Sequence, residues 1–67
     1  MAVLKVVEIL ANSKVGWEDA ANNAVKEASK SIKNIASLYV QEQSAVVNDR
    51  KIVEYRTNVK ITFEVKR

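Results

Sequence analysis

At 67 residues the chain has room for one domain, 1–67, and a core of that size leaves only a small surplus over the conformational entropy it must offset. It contains no cysteine and no histidine, which excludes disulfides, thiolate or imidazole metal sites, the cysteine nucleophile and the commonest general base. The formal net charge of +3 comes from 11 basic and 8 acidic residues that are interspersed, so no concentrated basic face for nucleic acid is expected.

The clustered bases are Arg50 with Lys51 and Lys66 with Arg67, which read as solvated ends. Apolar runs are only a few residues long, and Lys5 falls where a signal peptide would carry its hydrophobic centre. The expectation is a cytoplasmic protein with no membrane partner. Extra support for so small a core is left to association with further copies.

Residues 3–11, VLKVVEILA, are rich in β-branched and aliphatic side chains on both alternating faces, which predicts a strand covered on both sides. From Trp17 the apolar residues fall at Trp17, Ala20, Ala21, Ala24, Val25, Ala28, Ile32 and Ile35, one stripe at 3.6-residue spacing. A helix over 17–33 follows, with Gly16 as N-cap, Glu18 and Asp19 in the first turn, and Lys30 and Lys33 near the end, where the dipole favours cations. The stripe is mostly alanine, so this helix can lie close against a sheet. Trp17 leads it and reads as an anchor of the helix start.

Residues 35–47 predict a second strand, 48–50 a turn, and 51–66 a third strand. In the second, strict alternation puts Ala36, Leu38, Val40 and Glu42 on one face and Ile35, Ser37, Tyr39, Gln41 and Gln43 on the other. In the third, Val53, Tyr55, Thr57, Val59, Ile61, Phe63 and Val65 oppose Glu54, Arg56, Asn58, Lys60, Thr62 and Glu64. Fifteen or so extended residues span about 50 Å, whereas a compact chain of this length has a diameter near about 28 Å. The last strand overshoots its own domain, so it bends around the helix or is covered by other copies. Its polar side, with Arg56, Asn58 and Thr62, is the face to search for a subunit contact or a small ligand.

LKVVEILANS, GWEDAANNAVKEASKSIKNI, YVQEQSAVV and IVEYRTNVKITFEV, in that order and spacing, resemble the dodecins, a family of small flavin-associated proteins. The resemblance implies an α+β fold, β-α-β-β, with a three-stranded antiparallel sheet wrapping one helix and twelve copies closing into a homododecameric shell. It implies a non-catalytic role, the binding and sequestration of flavin (FMN or riboflavin), with rings stacked on a tryptophan and held at the edge by a glutamine. Carried over to this chain, the tryptophan position falls on Ser37 and the glutamine position on Arg56.

Serine offers no ring. Arginine donates but has no acceptor for the flavin ring N–H, although it can stack on an aromatic plane and would attract an anionic ligand. Arg56 can equally pair with Glu54. Tyr39, two residues from Ser37, is a candidate replacement platform, so Ser37, Tyr39 and Arg56 are the candidate cofactor-binding residues. The other reading is a shell that has lost flavin and binds another ligand, or a metal ion in its channels, where Glu8, Glu42, Glu54 and Glu64 could converge by symmetry. No catalytic residue is expected, because neither Ser13 nor Ser37 has a histidine to activate it.

Overall fold

The computed structural model describes residues 3–65, so Lys66 and Arg67 lie outside it. Its elements are β1 (Val3–Ser13), α1 (Trp17–Ser29), β2 (Ile35–Asn48) and β3 (Lys51–Val65). The sheet order is β1-β3-β2, with both outer strands antiparallel to β3. β2 and β3 form a hairpin, and the helical crossover carries the chain from one side of β3 to the other. This is the expected β-α-β-β arrangement with a three-stranded antiparallel sheet.

The predicted pattern of β3 determines the core. Thr57, Val59 and Ile61 are fully buried beneath the helix. Ala20, Ala24 and Ala28 present the helix's small-residue stripe, so the backbone approaches the sheet closely. Val7, Ile9, Ala11, Ala21, Ile32, Ile35 and Leu38 close the rim of this core. Burial of each large aliphatic side chain contributes roughly 1.5–3 kcal/mol.

The helix ends at Ser29, four residues short of the sequence expectation. The Lys30 and Ser31 N–H groups turn back to Glu27 O and Ala28 O at 3.2 and 3.1 Å, tightening the last turn. Asn34, with φ 65°, then swings the chain into β2, and its carbonyl accepts from Glu64 N–H at 3.0 Å. At the other end Gly16 supplies no side-chain cap. Ser13 organises that corner instead. Its Oγ accepts from Val15 N–H at 2.9 Å and donates to Asp19 Oδ2 at 2.6 Å, tying β1 to the first helical turn.

Trp17 is the expected anchor. Its ring meets Tyr55 edge-on with centroids 4.9 Å apart, and its Nε1 donates to Ser44 O at 2.8 Å. Thr57 Oγ1 donates to Trp17 O at 3.0 Å from within the sheet. The helix start is thereby joined to both strands of the hairpin.

Three register shifts interrupt the β2–β3 pairing, at Ile35/Ser37, Val40/Glu42 and Val46/Val47. They overturn part of the alternation expected for β2. Ile35 pairs with Phe63 and packs on the core, away from Ser37 and Tyr39. Glu42 pairs with Asn58 on the face turned from the helix, and Gln43 pairs with Thr57 on the helix side. The cause is the extra residue at Ala36 and again at Gln41, since one inserted residue reverses the facing of all that follow. The third shift leaves Val53 as the extra residue of β3, so alternation there runs without a break only from Glu54 onward.

Asp49 and Arg50, with φ 51° and 66°, close the hairpin as a two-residue turn whose left-handed backbone matches the twist of the strands. β1 covers β3 only as far as Tyr55, so residues 51–54 project as a two-stranded ribbon. The molecule measures 51 × 20 × 13 Å with a radius of gyration of 13.7 Å, against about 11 Å for a compact chain of this length. Val47, Ile52 and Val53 are exposed near the hairpin tip, and Leu4, Val6 and Leu10 on the face opposite the helix. No helix among the described residues is long and apolar enough to cross a membrane.

Candidate functional site

The helix covers one face of the sheet and leaves the other open. On the open face the register lays side chains out in rows across β1, β3 and β2: Val6–Thr62–Ser37, Glu8–Lys60–Tyr39, Leu10–Asn58–Glu42 and Asn12–Arg56–Ser44. Each row is a set of cross-strand neighbours, with Cβ atoms about 4.5–5.5 Å apart between adjacent strands. In these rows the aliphatic groups, Val6 and Leu10, lie on β1, and the β3 positions are all polar.

Ser37, Tyr39 and Arg56 all lie on this face and all are exposed, Tyr39 at 66%. Ser37 and Tyr39 occupy adjacent rows. Arg56 does not join them. It stands six residues along β3 from Thr62, the partner of Ser37, or roughly 20 Å away at strand rise. One chain therefore cannot place Arg56 and Ser37 on the same ring, and a pocket using both would need residues from two copies.

Arg56 Nε lies 3.8 Å from Glu54 Oε1, with side chains 45% and 30% exposed. This is the pairing the sequence allowed as the plain account of Arg56, and it is long and solvated, hence weak. Lys60, directly opposite Tyr39, is the neighbour sequence reasoning did not weigh. Counting pairs outward from the two-residue turn reaches Lys60 opposite Tyr39, because the extra residues at Val53 on β3 and Gln41 on β2 offset each other.

The middle of the face carries the most distinctive polar contact. Asn58 Nδ2 donates to Glu8 Oε2 at 2.9 Å, from β3 diagonally to β1. The Oδ1 of the same amide is shut off from solvent and accepts no hydrogen bond among the described residues. Glu42 stands opposite Asn58 on β2. Sequence alternation had turned Glu42 toward the helix, and no residue type in the stretch marks the bulge that turns it back. Of the four acids considered for a cation, Glu8 and Glu42 share this neighbourhood, whereas Glu54 and Glu64 stand toward opposite ends of β3. No group of three histidine, cysteine, aspartate or glutamate side chains converges among the described residues.

With this geometry in hand, the similarity to known proteins is extensive. The chain is 33% identical over 66 residues to a calcium dodecin of Mycobacterium tuberculosis, an alignment covering 98% of this chain and 93% of that one. A crystal structure of calcium dodecin from the same organism superposes with a TM-score of 0.83 at 33% identity, covering 96% of this chain and 91% of that one. A variant dodecin of Thermus thermophilus superposes at 0.95 over the full length of both chains, at 24% identity, a likeness of fold. The sequence model of the Dodecin family matches residues 3–66. The order of the elements, the sheet that backs a single alanine-striped helix and a match along nearly its whole length place this chain in the dodecin family.

Proposed function

We propose that the chain is one subunit of a cytoplasmic homododecameric shell that binds and holds a small ligand without transforming it, and that the ligand is a hard divalent cation. The observation that carries the assembly is the shape of the subunit, 51 Å long with large apolar side chains exposed on the open face and at the hairpin tip. Such a surface on so small a chain is stable in water only when covered. The absence of cysteine and histidine from the sequence supports binding over catalysis.

The cation reading draws on the relative named for calcium and on the donor chemistry of the open face. Glu8, Glu42 and Asn58 supply oxygen, the ligand type calcium takes in sets of 6–8. The orphaned Asn58 Oδ1 is an acceptor lacking a positive partner. These residues fit a calcium ion, which would screen the two carboxylates and order the rows around them.

Flavin is the second reading, favoured by one observation: Tyr39 is an exposed ring one row from Ser37, with Lys60 opposite to meet a phosphate. Against it, the position that bears a stacking ring in flavin-binding members is a serine, and Arg56 is distant within the chain. Two titrations of the assembled protein separate the readings. Heat released on adding calcium chloride, with riboflavin and FMN fluorescence unchanged, supports the cation. Quenched flavin emission without calcium binding transfers the function to flavin, and a well-folded monomer in sedimentation at micromolar concentration removes the shell.

A further inference from the structure

The hairpin tip and the open face carry separate apolar patches, and neither can cover the other within one chain. Val47 lies two residues beyond Ala45 along β2 and keeps to the helix side of the sheet, where Ile52 pairs with it. This pair extends the core's face past Trp17, the first residue of α1, so the helix does not cover it and both side chains are exposed. Val15, on the loop between β1 and α1 at the same end, is exposed as well. The second patch, Leu4, Val6 and Leu10, follows one line of β1 on the opposite side of the sheet. Leu10 pairs with Asn58, six residues along β3 from Ile52, or roughly 20 Å at strand rise. Cover for either patch therefore comes from another molecule, as apolar patches rimmed by polar groups generally imply.

Charge decides which molecule, and which way round. The tip carries Arg50 and Lys51, with Lys14 at the same end, against Asp49. The middle rows of the open face carry Glu8 and Glu42 against Lys60. Tip on tip would set bases against bases, and face on face would set acids against acids, whereas tip on face joins opposite signs. The turn itself agrees. Two-residue hairpin turns with positive φ at both positions favour glycine, asparagine and aspartate. Arg50 takes the second of these positions at φ 66°, so a guanidinium is kept at the tip at a conformational cost. Strained backbone of this kind clusters at functional contacts.

We infer that the hairpin tip of one copy seats on the open face of another, head to tail, with Val47 and Ile52 packed on Val6 and Leu10 and with Arg50 and Lys51 meeting Glu8 and Glu42. This rests on the assembly reading above and adds the surfaces that make one of its contacts. Because the two surfaces differ, the contact is heterologous, the type that closes into rings when its rotation permits. Each copy offers one tip and one face. The charged groups set the orientation, and the apolar groups supply the buried centre.

The test uses the full chain in sedimentation velocity at micromolar concentration, with Lys26→Gln on the exposed side of α1 as control. Ile52→Asp places an acid on the tip and Leu10→Lys a base on the face, so each sets like charge against its counterpart. Each variant should fall to a smaller species than wild type and control, with far-UV circular dichroism unchanged. Mixed in equal amounts they should regain a larger species, because the native tip of Leu10→Lys still fits the native face of Ile52→Asp. Should either charge unfold the chain, Ile52→Ser and Leu10→Ser carry the same comparison. A monomeric wild type would remove the assembly reading and this contact with it. An assembled wild type whose size either variant keeps would overturn the contact while leaving assembly intact. Variants that both shrink but gain nothing on mixing would also overturn it, assigning each patch to a contact with its own kind.

Discussion

The two faces of the sheet are made by the same three strands and end in opposite conditions. Toward the helix, Val59, Ile61 and Thr57 are fully buried against alanines, and the buried hydroxyls of Thr57 and Ser13 have partners. Away from it, Leu4, Val6, Leu10 and Tyr39 remain exposed and Asn58 keeps an unpaired oxygen. One face is completed by the chain's own helix. The other is a surface that the chain itself leaves uncovered.

If that contrast is right, truncations on the two faces differ most in their effect on folding. Ile61→Ala should destabilise by about 2–5 kcal/mol, because the cavity opens beneath a helix that cannot collapse further onto the sheet. Its sequence neighbour Thr62, on the open face, should tolerate alanine within about 0.5 kcal/mol in folding. Thermal unfolding at a fixed protein concentration checks both, since assembly makes the midpoint concentration-dependent. Equal losses at the two positions would erase the distinction between the faces.

Ala24→Leu tests the same core from the helix side. The alanine is buried over Val59 and Ile61, and the added bulk must lift the helix or force strained rotamers, for about 1–3 kcal/mol. A variant as stable as wild type would mean that the helix rides higher on the sheet than its alanine stripe requires.

The helix-facing side was legible in the sequence because two periodicities agreed on it. The 3.6-residue stripe from Trp17 to Ile32 and the two-residue alternation from Glu54 to Val65 each point to the buried set, and the structure joins them. The open face was legible only along β3. On β2 the insertions at Ala36 and Gln41 carry no compositional mark, so Glu42 and Gln43 were assigned to each other's faces. Bulges are a matter of pairing with a partner strand, and a single strand's pattern does not contain them. The helix end was misjudged for a related reason. Ile32 and Ile35 continue the apolar stripe in spacing, but they reach the core from the closing turn and from β2.

On the open face a gain of function is more informative than a loss. Ser37→Trp combined with Arg56→Gln restores the two residue types that the family resemblance associates with flavin, at exposed positions where a large ring meets no core packing. Stacking on an aromatic is worth roughly 1–3 kcal/mol per ring, or about 5- to 150-fold in affinity. Quenching of riboflavin fluorescence should therefore appear or sharpen by that factor. Because Ser37 and Arg56 are far apart within a chain, a gain larger than that of Ser37→Trp alone would show that two copies meet over the ligand. No gain in the double variant would mean that the serine does not occupy the stacking position.

The smallest expected effect falls where the two faces' logic meets, at the only fully buried hydroxyl of the described residues. Thr57 Oγ1 donates to Trp17 O from the centre of β3, and a carbonyl has a second lone pair beyond the one its helix ladder uses. Thr57→Val keeps the shape and the strand preference of the side chain, so packing and propensity should hardly change. What disappears is one hydrogen bond, whose net worth is about 0.5–1.5 kcal/mol. Trp17 is the sole tryptophan, and its ring is held by Tyr55 and by Ser44 O. Its emission therefore reports on that corner alone. A modest fall in midpoint with a shifted tryptophan spectrum is the expected pair of results. An unshifted spectrum with the same fall would place the loss in the sheet, and an unchanged midpoint would mean that the ring contacts suffice to hold the helix start.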